Sequence, residues 1–366
     1  MVDSLPATPT PPATKGRGAV TNRSGRFERE TREAVDDGWD LDDSDLPPLR
    51  TTVTIERPKT IIARNDSPDI SFDRSINPYK GCEHGCVYCY ARPSHAYMGL
   101  SPGLDFESKL FAKPDAAKLL ERELSKPGYR PATIALGANT DPYQPIERQY
   151  KITRGVLEVL ERFNHPVAIT TKSTLVCRDI DILAPMAAKG LAAVGVSICT
   201  LDKRVARALE PRAPRPEKRL EAIAKLAAAG IPVSVMVAPM IPVLTDSQME
   251  RVLERAAAVG AVGAAYILLR LPLELKELFQ EWLNAHAPDM AAHVLNQVRD
   301  SRGGALYVSD FGTRMTGTGE RAELLAQRFE RACRRFGLNQ ERATGFELAT
   351  SLFRPPPRPG DQLSLL

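Results

Sequence analysis

Between residues 131 and 286 the sequence alternates short β-branched apolar runs with longer stretches that carry apolar residues every three or four positions. Strand candidates are 131–138 (PATIALGA), 166–172 (PVAITTK), 191–198 (LAAVGVSI), 232–239 (PVSVMVAP) and 264–271 (AAYILLRL), with a sixth near 72–80. Between them lie helical patterns such as TRGVLEVLERF and PEKRLEAIAKLAAAG, several of which close on glycine. Strands that look buried on both faces, joined by helical crossovers, dictate a parallel α/β architecture. Six such strands fit a partial (β/α)6 barrel as well as an open sheet, and periodicity alone does not choose.

The flanks read differently. Residues 1–55 contain PATPTPPATKGRG and the acidic, apolar-poor DDGWDLDDSDLPP, and are expected to form a disordered arm with Trp39 as a possible anchor. Residues 56–286 then form the core, 287–353 a helical, Arg-rich extension broken at DFGTRMTGTGE, and 354–366 a proline-rich tail. A hydrophobic fraction of 43% can fill a sizeable core, while a net charge of +4 permits an acidic partner without demanding one. No run resembles a signal peptide or reaches bilayer-spanning length, so a cytoplasmic protein with reduced thiols and no membrane partner is expected.

The chain has six cysteines, and three of them, Cys82, Cys86 and Cys89, fall in the stretch CEHGCVYC with the spacing C-x3-C-x2-C. Cys177, Cys199 and Cys333 are scattered, as small core residues are. Clustered thiols in a reducing compartment point to metal, and thiolate is a soft ligand suited to zinc or iron–sulfur clusters. A closed zinc site needs four protein ligands, which here means recruiting His84 or His95. A 4Fe–4S cluster held by three thiolates leaves one iron open to substrate or cofactor.

With its aromatic residue before the last cysteine, at the head of an α/β barrel, this motif resembles the radical SAM superfamily. That resemblance implies a 4Fe–4S cluster on Cys82, Cys86 and Cys89 whose open iron binds S-adenosylmethionine. It further implies reductive cleavage to a 5′-deoxyadenosyl radical that abstracts hydrogen from the substrate, and a flavodoxin- or ferredoxin-type electron donor. CVYCYARP, GANTDPYQPIE, TTKS and VSICT together resemble the spore photoproduct lyase branch over about residues 75–270. The resemblance implies that Tyr88 packs near the adenine, and that Thr140, Lys172 and Ser197 contact the cofactor from successive strand ends. Tyr90 matches a tyrosine proposed to relay hydrogen. Where the lyase has a hydrogen-donating cysteine, this chain has Ala138, so its substrate is expected to differ.

Other positions carry two readings each. Asn139 and Asp141 follow a strand and belong either to the active site, Asn139 at the cofactor and Asp141 in catalysis, or to a turn or helix cap. Ala238 and Pro239 are candidates to line the adenine pocket. The basic run 201–220 either grips phosphates or is a solvated loop. Arg321, Arg328, Arg331 and Arg335 fall on one stripe beside an apolar helical face, for nucleic acid or for solvent. Gln362, Leu363, Leu365 and Leu366 resemble the short peptide by which bacterial DNA polymerases and repair proteins bind the sliding clamp; the alternative is a frayed end with chance leucines.

The reading that joins these signals is a radical SAM enzyme acting on a DNA lesion or modified base. Its alternatives are radical modification of RNA or protein, and a non-catalytic metal-binding adaptor on the sliding clamp.

Overall fold

The computed structural model describes residues 16–28, 49–340 and 348–356. Trp39 and the clamp-binding-like residues Gln362, Leu363, Leu365 and Leu366 lie outside the described residues. Ten strands follow one another: β1 (Thr52–Ile55), β2 (Ile62–Arg64), β3 (Arg74–Ile76), β4 (Tyr79–Lys80), β5 (Lys109–Ala112), β6 (Ile134–Leu136), β7 (Val167–Thr171), β8 (Ala192–Ser197), β9 (Val233–Met240) and β10 (Gly263–Leu268).

Six of these are the strands read from sequence. They form one sheet in the order β10-β9-β8-β7-β6-β3, parallel throughout, with β2 added antiparallel on the outer edge of β3. The result is the partial barrel expected of the α/β pattern. Ile76, Leu136, Ile169, Val194 and Val233 lie in register across five strands, each 1% exposed or less. Burying side chains of this kind stabilises by about 1.5–3 kcal/mol each, which ties the register to the core.

The crossover helices include Ile152–Arg162, Ile180–Ala188, Pro216–Ala228 and Met249–Ala258. Gly230 (φ 76°) and Gly260 (φ 98°) follow two of them in the left-handed conformation that ends a helix and turns the chain into the next strand. Helices Pro288–Asp300 and Glu320–Phe336 supply the expected helical C-terminal extension. Among the described residues no helix is long and apolar enough to cross a membrane.

Two features depart from the sequence reading. A second sheet, β1-β5-β4, stands beside the first, and its first strand falls within the stretch expected to be disordered. Residues 16–28 also belong to the body. Gly18 and Ala19 donate their backbone N–H groups to the Glu107 carboxylate at 2.9 and 2.8 Å, and Arg17 donates to the Glu107 carbonyl at 2.8 Å. These ties are polar and made to residues some ninety positions away, so an apolar-poor composition gives no hint of them.

Candidate active site

The three cysteines occupy a tight loop between β4 and a 3-10 helix, Arg92–Met98, on the C-terminal side of the parallel sheet. Gly85 N donates to Cys82 O, and Cys89 N to Cys86 O, so the loop turns twice within eight residues. Gly85 has φ 70°, open to glycine without strain. A buried ion pair stitches this loop from behind. Arg92 is fully buried, pairs with Glu107, and donates to the carbonyls of Cys86 (2.9 Å), Gly85 (3.2 Å), Gly103 (2.9 Å) and Pro102 (3.1 Å). Gly18 closes the other side: a Cβ there would collide with the Gly85 carbonyl oxygen. Neither Arg92 nor Gly18 stands out in sequence.

All three thiols are free, with Cys82 and Cys86 buried and Cys89 partly so. Burial, followed by the charges of Asp141 and the other two thiols, pushes Cys82 well above the usual thiol range. Burial likewise pushes Cys86 up to about 12, against the pull of Lys172. Thiolates form at such positions only against added positive charge, which is the setting of metal ligands.

The histidines offered as a fourth ligand are committed elsewhere. His84 Nδ1 lies 3.3 Å from Asp141, and His95 is wedged against Phe106 and Phe111 with Nε2 on the Lys109 carbonyl at 2.9 Å. Among the described residues no three His, Cys, Asp or Glu side chains converge on a point for one ion. With both histidines engaged, a closed zinc site lacks its fourth ligand here, whereas three thiols suit a 4Fe–4S cluster with one iron left free.

Beside Cys86 the structure assembles a charged group of which sequence showed only part. Tyr88 donates its hydroxyl to Glu210, which also pairs with Arg219, all three side chains being buried. Arg219 donates in addition to the Ser197 carbonyl at 2.9 Å, and Cys199 Sγ is 3.5 Å from Glu210. Lys172 Nζ stands 5.8 Å from the centre of the Tyr88 ring. Burial works against the Lys172 charge, but Cys86 and Glu210 outweigh it and hold the ammonium above its ordinary range. Tyr88, Lys172 and the end of β8 at Ser197 are thus brought together around Cys86. Glu210 and Arg219 were missed because nine residues and a proline-rich turn separate them in the basic run.

Asn139, Thr140 and Asp141 prove to be held by structural bonds. Thr140 donates its hydroxyl to Tyr79 O at 3.0 Å, and Asn139 N donates to the Asn77 side chain at 3.1 Å. Asp141 accepts from Tyr143 N (2.9 Å), as an Asx-turn does, and from Thr171 Oγ1 (2.7 Å) and Lys172 N (2.8 Å). Burial raises its pKa, yet the charge and hydrogen bond of His84 and the bonds from Lys172 N and Thr171 bring it down to about 2. Asp141 clips the β6 and β7 ends to the cysteine loop. Tyr90, half exposed, donates its hydroxyl to the Ala138 carbonyl, with the Arg270 guanidinium 5.2 Å from its ring centre.

The two basic surfaces are largely neutralised. Arg212 pairs with Glu83, Lys203 with Glu217 and Lys218 with Glu221, leaving Arg204, Arg207 and Arg215 exposed. On the last helix Arg328 pairs with Glu250 and Arg321 bonds Gln297, leaving Arg331 and Arg335 to solvent.

Comparison with known proteins accords with this geometry. A family profile described as the Radical SAM superfamily matches residues 76–256. An uncharacterized protein of Mycobacterium tuberculosis is 35% identical over 283 residues, covering 72% of this chain and 83% of that protein. A Radical SAM Nalpha-GlyT isomerase of a Pseudomonas phage is 27% identical over 50% of this chain and 36% of its own length. Among solved structures, spore photoproduct lyase complexed with dinucleoside spore photoproduct superimposes with a TM-score of 0.56 at 17% identity, covering 78% of this chain and 80% of the other. Members of the superfamily use a 4Fe–4S cluster and S-adenosylmethionine, which sets aside the reading as a non-catalytic adaptor. The chain belongs to the radical SAM superfamily of enzymes, with a fold like that of spore photoproduct lyase.

Proposed function

We propose that this enzyme acts on a lesion or modified base in DNA. The observation that carries the reading is the pairing of the three-cysteine loop with a lysine ammonium and a tyrosine at its rim, in a fold shared with a lyase captured on a dinucleoside lesion. Cys82, Cys86 and Cys89 would hold the cluster, which with S-adenosylmethionine supplies a carbon radical able to abstract hydrogen. Lys172 offers a fixed positive charge for the cofactor carboxylate. Glu210 holds the Tyr88 ring in place beside it, and Arg219 keeps Glu210 ionised although burial opposes its charge.

Ala138 offers no thiol at the end of β6, so the final hydrogen must come from another group. Tyr90, bonded to the Ala138 carbonyl, stands at that position. Delivery through a sliding clamp by Gln362, Leu363, Leu365 and Leu366 belongs to the same proposal, as does a flavodoxin- or ferredoxin-type donor.

The test is substrate-dependent turnover. The anaerobically reconstituted enzyme, reduced and given S-adenosylmethionine, is offered ultraviolet-damaged DNA, undamaged DNA, RNA and protein extract. Release of 5′-deoxyadenosine stimulated by damaged DNA supports the reading. Stimulation by RNA or protein alone, with DNA inert, sinks it.

A further inference from the structure

Two arginines lie at the end of β10, and among the described residues neither has an ion-pair partner. Arg302 is 3% exposed. Its Nη2 donates to the carbonyls of Leu269 (2.6 Å) and Leu268 (3.4 Å), which places the guanidinium against the backbone that leads into Arg270. Its Nε and Nη1 are buried without a partner, and so is Nε of Arg270. Arg270 Nη1 has only the thioether sulfur of Met315, at 3.5 Å.

Burial pushes the Arg302 pKa down to about 10 and the Arg270 charge adds to the fall, with Tyr307 opposing in part. Arg92 pairs with Glu107 and Arg219 with Glu210, and the buried Arg17, which has no ion pair among the described residues, has its donors on carbonyls and a hydroxyl. A buried guanidinium at Arg302 and a half-buried one at Arg270, with three side-chain nitrogens buried and unused between them, are costly unless an anion completes them. A tetrahedral oxyanion matches this arrangement, because each fork can donate to separate oxygens.

The position tells which anion. Arg270 lies over the Tyr90 ring, and Tyr90 follows the third cysteine directly and reaches the β6 end through Ala138. The rim of the loop beside Cys86 is served by Lys172, just past the end of β7, and by Tyr88. The arginines stand beyond the Tyr90 ring, where β10 meets the C-terminal extension. We propose that Arg270 and Arg302 form a phosphate subsite that takes a DNA backbone phosphodiester beside the reacting nucleotide, with Tyr90 between that phosphate and the cysteine loop. This rests on the DNA reading above and adds to it a defined contact.

The test measures binding by the reconstituted full chain. The probe is a fluorescein-labelled single-stranded DNA oligonucleotide, read by anisotropy, with inorganic phosphate as competitor. Arg270→Gln and Arg302→Gln are each expected to weaken binding roughly tenfold to a hundredfold and to lower the salt slope by about one phosphate contact. Phosphate is expected to raise the melting temperature of the unmodified protein and not of the variants. Arg270→Gln keeps the test sound should Arg302→Gln fail to fold, since among the described residues the Arg270 side chain holds the Met315 sulfur and the Tyr90 ring and no backbone carbonyl.

Unchanged DNA binding by both folded variants overturns the subsite while leaving the DNA reading in place. Phosphate binding lost in the variants, with no DNA binding by the unmodified protein, keeps the subsite's anion chemistry and overturns its DNA source. Loss of S-adenosylmethionine affinity in place of DNA affinity reassigns the arginines to the cofactor and overturns the proposal.

Discussion

Tyr90 donates its phenolic hydrogen to the carbonyl oxygen of Ala138. The bond joins the residue after the third cysteine to the end of β6, across the mouth of the sheet. It fixes the ring that Arg270 covers. Tyr90→Phe removes this tie and leaves the ring. Product formation is expected to fall about tenfold or more, with more 5′-deoxyadenosine released per product because the substrate radical is no longer quenched efficiently. Chromatography of both products checks the ratio; an unchanged ratio would remove Tyr90 from the hydrogen path.

Arg92 and Glu107 hold the cysteine loop from behind with both side chains fully buried. Arg92→Met leaves the Glu107 charge without its partner and strips donors from four carbonyls. A loss of about 3–5 kcal/mol is expected, read by urea denaturation, with less iron retained after reconstitution. Glu107→Gln, whose amide oxygen can still accept from Ala19 N and Arg92 while its NH2 faces Gly18 N, should cost less.

Gly18→Ala tests the N-terminal contact. The added methyl has no room against the Gly85 carbonyl, so either residues 16–28 lift away or the loop shifts. Faster loss of iron in air, with the parallel sheet intact by circular dichroism, is expected. Iron retention equal to that of the unmodified protein would make the contact incidental.

His165 provides a pH signature far from the cluster. It is fully buried beside Phe163 and Phe353, with one ring nitrogen on the Pro166 carbonyl at 3.0 Å and the other on the Tyr129 hydroxyl at 2.8 Å. Burial lowers its pKa to about 4, and the bond to the Pro166 carbonyl only partly offsets this. The folded state therefore resists a proton that the unfolded chain accepts near pH 6.5. The stability this neutral ring supports is present above that pH and is lost as pH falls towards 4. His165→Asn is expected to flatten the slope of melting temperature against pH in that window; an unaltered slope would assign it to other groups.

The strands were legible because their apolar runs must be buried on both faces, and the cysteine loop because three thiols in eight residues have few uses. Lys172 and Tyr88 were legible through their motifs, and they do converge beside Cys86. What sequence hid is charge pairing across distance. Glu210 is matched to Arg219, Glu107 to Arg92, and Arg270 stands with Arg302 thirty-two residues later. Asp141 carried an active-site and a turn reading at a strand end, and its bonds to Tyr143 N, Thr171 and Lys172 N show the turn and the tie between strands. Composition also misjudged residues 16–28, because what holds them is hydrogen bonding and not apolar burial alone.

The most direct measurement is anaerobic. The protein is reconstituted with iron and sulfide, reduced, mixed with S-adenosylmethionine, and assayed for 5′-deoxyadenosine beside a Cys82→Ala, Cys86→Ala, Cys89→Ala triple variant. Product from the intact protein and none from the variant is the expected result. Equal yields, or no product from an intact protein that holds zinc tightly, would contradict the account.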